Sequence, residues 1–157
     1  MLLVDSNVLI DVLEDDSEWA AWSLAQLRAH SQIHVLAINP IIYAEISCAF
    51  VRIEELERVV AQLQLEVLEL PRPALFLAGK AFIQYKRAKG TRQSVLPDFF
   101  IGAHAAVIQS AILTRDTSRY RTYFPTVELI APDSQGASAE PSKVPSSSLK
   151  AGIQTAT

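Results

Sequence analysis

Met1-Leu2-Leu3-Val4-Asp5-Ser6-Asn7 opens the chain, and its reading decides the fold. An apolar run, an acid and two small polar residues describe a buried strand that hands over to a tight turn. Such a turn leaves the Asp5 carboxyl at the strand's carboxyl end, and Val8-Leu9-Ile10-Asp11-Val12-Leu13 then reads as a short apolar helix. The same succession recurs downstream. Ile33–Ile38 is β-branched and apolar enough for a second strand, and Asn39-Pro40 pairs a cap with proline at the first helical position. Glu45 sits on the helix that follows. Ala111–Thr114 is the fourth strand and Asp116 follows it, while Asp98 opens an apolar helix after Leu96-Pro97. Strands alternating with helices imply a parallel sheet covered on both faces. Open sheets of this kind place their sites outside the carboxyl ends of the strands, where all four acids lie.

The remaining elements complete the pattern. Ser17 reads as a cap, with Glu18 in the first turn, for a helix reaching about His30. Residues 53–64 carry Ile53, Leu56, Val59, Val60 and Leu63 at helical spacing. Glu66–Leu70 is a third strand stopped by Pro71 and Pro73, and a long helix runs from Ala74 to about Lys89 with Gly90 past its end. Thr91–Pro97 is a polar loop, and the helix from Asp98 to Ser110 is rich in small residues that allow close packing against the sheet. Ser118–Tyr123 is a short helical turn and Val127–Ile130 a fifth strand. The expectation is an α/β domain over residues 1–132, a three-layer sandwich around a parallel sheet of about five strands. Residues 133–157 contain no aromatic and are rich in Ser, Ala, Pro, Gly and Lys, which predicts a disordered tail.

Composition bounds the chemistry. A chain of 157 residues, half hydrophobic and a fifth charged, can bury a core of its own. Cys48 is the only cysteine, which excludes a disulfide framework and a cysteine-based zinc site. Asp5 interrupts the first apolar run too early for a signal peptide. The longest apolar stretch, Phe99 to Leu113, holds His104, Gln109 and Ser110 and falls short of a membrane span. A soluble, cytoplasmic protein without membrane contact is expected.

The net charge of −3 hides a division along the chain. Residues 1–70 are strongly acidic, with only Arg28, Arg52 and Arg58 as bases. Residues 80–121 carry Lys80, Lys86, Arg87, Lys89, Arg92, Arg115, Arg119 and Arg121 against two acids, Asp98 and Asp116. A basic segment around candidate metal-binding acids suits a polyanionic substrate.

Each acid has an ordinary explanation by itself. Asp5 and Asp98 stand where helix caps stand, Asp116 fits a turn, and Glu45 fits a solvent-facing glutamate amid Ile41, Ile42, Tyr43, Ala44, Ile46 and Phe50. Capping does not require that all four reach one sheet edge. Gathered there, they would repel one another unless a hard divalent cation such as Mg²⁺ or Mn²⁺ neutralised them. Rival carboxylate chemistries lack their parts. Asn7 stands where a haloacid-dehalogenase-like phosphatase needs a second Asp. Leu70-Pro71 and Ala131-Pro132 stand where a receiver domain needs its acceptor Asp and its Lys. No Gly-rich phosphate loop exists. His30, His34 and His104 show no ligand spacing, and Cys48 reads as a small packing residue.

Taken together, Leu3-Val4-Asp5-Ser6-Asn7, Ala44-Glu45, Leu96-Pro97-Asp98-Phe99-Phe100-Ile101-Gly102-Ala103-His104-Ala105 and Leu113-Thr114-Arg115-Asp116 resemble a PIN-domain ribonuclease. Arg119-Tyr120-Arg121-Thr122-Tyr123-Phe124-Pro125, leading into Val127-Glu128-Leu129-Ile130, resembles the VapC-like toxin branch of bacterial and archaeal toxin–antitoxin pairs. The resemblance covers residues 1 to about 132. It implies Asp5, Glu45, Asp98 and Asp116 as metal ligands, with Ser6, Asn7 and Thr114 supporting them. It also implies Mg²⁺ or Mn²⁺, an RNA substrate, homodimerisation, and inhibition by a small antitoxin. Lys80, Lys86, Arg87, Arg92 and Arg115 are the candidates to follow the RNA backbone. The chemistry expected is in-line attack of water on a phosphodiester, leaving 5′-phosphate and 3′-hydroxyl ends. Two other readings stay open: a PIN nuclease of RNA processing or of structured DNA, and a non-catalytic nucleic-acid-binding regulator.

Overall fold

Leu2, Leu3 and Val4 are almost wholly buried and form β1 (Leu2–Val4), the middle strand of a five-stranded sheet. The computed structural model describes residues 1–133; the tail expected from residue 133 lies outside these, apart from Asp133 itself. Strand order is β3-β2-β1-β4-β5 and every pairing is parallel, with Leu3 opposite Ala37 on one side and Ile112 on the other. The other strands are β2 (Leu36–Ile38), β3 (Glu66–Val67), β4 (Ala111–Leu113) and β5 (Leu129–Ile130). Between them run α1 (Ser6–Leu13), α2 (Ala20–Ser31), α3 (Pro40–Ser47), α4 (Ile53–Gln62), α5 (Arg72–Arg87), α6 (Pro97–Ile108) and α7 (Ser118–Tyr123).

The chain first moves from β1 outward to β2 and β3, then returns across the sheet to β4 and β5. Right-handed crossovers therefore lay α1–α4 on one face and α5–α7 on the other. Contacts of α1 with α2 and α3, and of α6 with α5 and α7, agree with this. The direction of winding reverses at β1 and β4, which makes the carboxyl ends of these two strands the place for a site. Ile38, Ile42, Ile46, Phe99, Ile101, Ile112 and Leu113 fill the core beside β1, each worth about 1.5–3 kcal/mol on burial.

Local chemistry corrects several expected boundaries. Ser17 caps nothing: Asp16 accepts the amides of Glu18 and Trp19 at 2.9 and 2.8 Å, and α2 starts at Ala20. Strand β2 is half the predicted length, because Ile33 and Val35 lie outside the sheet at 72% and 52% exposure. Strand β3 keeps two residues, both exposed at the sheet edge. Helix α3 ends at Ser47, so Phe50 lies beyond it. At the end of α5 the left-handed residue is Lys89 (φ 63°), not Gly90. Gly90 is needed for another reason, since a Cβ there would come within 2.2 Å of the Tyr85 ring.

Candidate active site

Asp5 leaves β1 at the reversal point and caps α1 while only 4% exposed. Its Oδ1 accepts the Ser6 amide at 2.8 Å. Its Oδ2 accepts the Thr114 and Tyr120 hydroxyls, both at 2.8 Å, with the Asn7 amide farther off at 3.4 Å. Burial is the dominant influence on this carboxyl and raises its pKa to about 6. The hydroxyls of Tyr120 and Thr114 pull the other way, while the charges of Asp98 and Glu45 push it higher still.

Glu45 arrives on α3, whose start is fixed by the wholly buried Asn39. The Asn39 side-chain oxygen accepts the Ile41 and Ile42 amides, each at 3.0 Å. Its amide nitrogen lies 3.2 Å from His104 Nδ1 on α6, tying the two faces together above the sheet. Burial lowers the pKa of His104, so the neutral ring accepts here and serves structure, as expected. Glu45 Oε2 accepts the Ser6 hydroxyl at 2.7 Å. Partial burial, offset by Ser6 and reinforced by Asp98, raises the Glu45 pKa.

The other two acids are engaged from α7. Asp98, in the first turn of α6, pairs with Arg119 Nη1 at 2.8 Å. Asp116 is exposed and accepts the Ser118 amide at 3.1 Å and its hydroxyl at 2.9 Å. Three consecutive residues, Ser118, Arg119 and Tyr120, thus each hold one acid. Asp5, Glu45 and Asp98 lie within electrostatic reach of one another; Asp116 borders the group with its carboxylate turned to α7. Among the described residues, no three acidic, His or Cys side chains are already closed into a cation cage. The donor set is nonetheless all oxygen, crowded and anionic, which fits a hard divalent cation.

The family model of the PIN domain matches residues 2–125. The chain belongs to the PIN-domain family. Members of this family are nucleases. Solved structures with the same fold include VapBC2 from Rickettsia felis bound to a promoter DNA fragment, with a TM-score of 0.65 and 15% identity over 84% of this chain and 98% of that one. DNA-bound VapBC from Salmonella typhimurium gives 0.62 and 18% over 83% and 96%. A toxin–antitoxin complex from Klebsiella pneumoniae gives 0.56 and 21% over 85% and 98%. No curated protein matches the sequence.

In this PIN domain the candidate bases divide by what they touch. Arg115 Nε pairs with Asp11 at 2.8 Å, its guanidinium stands 5.7 Å from the Trp19 ring centre, and its amide donates to Asn7. Asp11 is buried and also accepts the Ser23 hydroxyl at 2.8 Å. Arg115 is therefore tied into the packing of α1 and α2. Lys86 donates to the carbonyls of Gly90 and Arg92 at 3.1 Å each and clamps the loop before α6. Lys80 lies over the Phe76 ring, and with Arg87 it lines a cleft between α5 and α7 of about 380 Å³. Arg92 is exposed on the loop. Sequence reasoning did not single out Tyr120 or Arg119 as site residues, nor Asp11 as the partner of Arg115. The one available signal was that Arg119 and Tyr120 lie on the short helix directly after Asp116.

Among the described residues no helix is long and apolar enough to cross a membrane.

Proposed function

We propose that this PIN domain is a metal-dependent endoribonuclease and the toxin of a toxin–antitoxin pair. The observation that carries the reading is Asp5, an acid buried at the reversal point whose pKa is raised by burial and by Asp98 and Glu45. A fold does not keep such a carboxylate, costly when charged, without a use for it. The toxin assignment is supported by the Rickettsia felis, Salmonella typhimurium and Klebsiella pneumoniae neighbours, which are toxin–antitoxin complexes or VapBC pairs.

Asp5, Glu45, Asp98 and Asp116 would hold Mg²⁺ or Mn²⁺. Bound there, the ion would polarise a phosphoryl oxygen and acidify a water for in-line attack. The chain's own groups prepare the place. Thr114 and Tyr120 fix one oxygen of Asp5 and the Ser6 amide fixes the other, so Asp5 has one orientation available. Ser6 orients Glu45, and Asn7 holds the β4 end through Thr114 at 3.1 Å. Lys80, Arg87 and Arg92 supply phosphate attraction along the α5 side, with Lys86 shaping the loop they border. The active form is a homodimer, and a small antitoxin silences it by occupying the groove.

The test is cleavage of total RNA with end mapping, wild type beside Asp5→Asn, in Mg²⁺. The expected result is 5′-phosphate and 3′-hydroxyl ends from wild type only. RNA bound but cut by neither protein favours a binding regulator, and cleavage confined to structured DNA favours the other nuclease branch.

A further inference from the structure

We propose that Arg119 is a built-in counter-cation of the acidic site: it holds Asp98 while the site is metal-free, releases that carboxylate to a divalent cation, and then turns to a substrate phosphate. This rests on the nuclease reading above. Among the described residues, Arg119–Asp98 is the only salt bridge that reaches one of the four acids; Arg115 pairs with Asp11 and Arg52 with Glu54. The pair is open to solvent, with the Arg119 and Asp98 side chains 41% and 29% exposed. Either partner can be exchanged there without stranding a buried charge, which would be costly.

The backbone of Arg119 is pinned on both sides. Ser118 donates to Asp116, and the buried Tyr120 donates to Asp5 at 2.8 Å. The residue therefore stays beside the acids whichever anion its long side chain serves. Only Nη1 is committed to Asp98, and a guanidinium keeps its charge and offers further N–H donors in a plane matched to phosphate. Asp98 is also the acid whose charge is felt at both Asp5 and Glu45. Arg119 thus offsets the repulsion that a cation would otherwise relieve, and the two compete for the same carboxylate. The consequence is a pair of effects of opposite sign: removing Arg119 tightens cation binding and weakens handling of the phosphodiester.

The experiment compares the full-length wild type with Arg119→Gln, reading free Mn²⁺ by electron paramagnetic resonance and RNA cleavage at saturating Mn²⁺. Arg119→Gln is expected to bind Mn²⁺ several-fold to about tenfold tighter, from loss of a nearby positive charge. Its cleavage should be slower by about tenfold or more, from loss of a phosphate contact. Equal or weaker Mn²⁺ affinity, or unchanged cleavage, overturns the proposal. A wild type that neither binds Mn²⁺ nor cuts RNA overturns the nuclease reading itself, whereas a wild type that does both, matched by the variant, overturns the counter-cation alone. A second measurement needs no variant to fold: in ¹⁵N-arginine-labelled wild type, the Arg119 Nε–H signal should move during a Mg²⁺ titration with the binding midpoint. A signal that stays in place through saturation also overturns the proposal.

Discussion

Asp5 bears a cost that its neighbours only partly offset. Its folded pKa of about 6 lies above the ordinary value of 3.8, so between those pH values the folded state binds more protons than the unfolded one. Stability must then fall as pH rises through that window, and the penalty is complete above the folded pKa. The gap corresponds to something on the order of 3 kcal/mol in metal-free protein. Asp5→Asn removes the charge and keeps the shape. In EDTA at pH 7.5, urea melts should show the variant more stable than wild type by up to that amount, with the difference shrinking towards pH 4. RNA cleavage by the same variant should drop by orders of magnitude. A variant less stable at both pH values would show that Asp5 serves chiefly as the α1 cap.

At the scale of elements, α7 is the working part and Gly102 sets how closely it sits. A Cβ on Gly102 would lie 2.2 Å from the Phe124 ring, at the end of α7. Small residues on α6 were expected to serve packing against the sheet, yet at this position the close neighbour is another helix. Gly102→Ala must displace Phe124, at about 1–3 kcal/mol, and should lower Tm and cleavage together because Arg119 and Tyr120 ride on α7. Gly79→Ala in α5 meets nothing within 4 Å and should instead stabilise by up to about 1 kcal/mol through helix propensity; thermal melts of the two variants check the contrast. The bases separate in the same way. Arg115→Ala should lower Tm by leaving the buried Asp11 without its ion pair. Arg87→Ala with Arg92→Ala should leave Tm within a degree or two, weaken RNA binding and flatten its salt dependence. Filter binding at two salt concentrations, beside melts, tells the two roles apart.

For the whole molecule, the relevant balance is between the fold and the charge gathered at its carboxyl edge. Sheet order β3-β2-β1-β4-β5 brings acids from four separate segments to that edge, and self-repulsion there lowers stability. A divalent cation binding the folded state alone should raise Tm with concentration. Millimolar Mg²⁺ or Mn²⁺ should therefore stabilise the wild type, and Asp98→Asn should abolish most of the shift. An undiminished shift in Asp98→Asn would remove Asp98 from the ligand set.

What the sequence by itself determined was whatever depends on neighbours in the chain. Asp5 directly follows three apolar residues, Asn39-Pro40 is a cap and a first turn in two residues, and strand–helix alternation leaves little choice but a parallel sheet. The acids could be named because each is adjacent to an element end. Lengths were less legible: Ile33 and Val35 have strand chemistry, but whether they pair depends on how far β1 extends beside them. Only the tertiary structure decided the partners. Tyr120 and Thr114 reach Asp5 across 115 and 109 residues, Arg115 reaches Asp11 across 104, and Arg119 reaches Asp98 across 21. No periodicity marks which hydroxyl or guanidinium will face which carboxylate, because that follows from how crossovers stack helices on a sheet. Arg115 shows the difference most clearly: its sequence position beside Asp116 suggested a phosphate contact, and packing gave it to a buried aspartate instead.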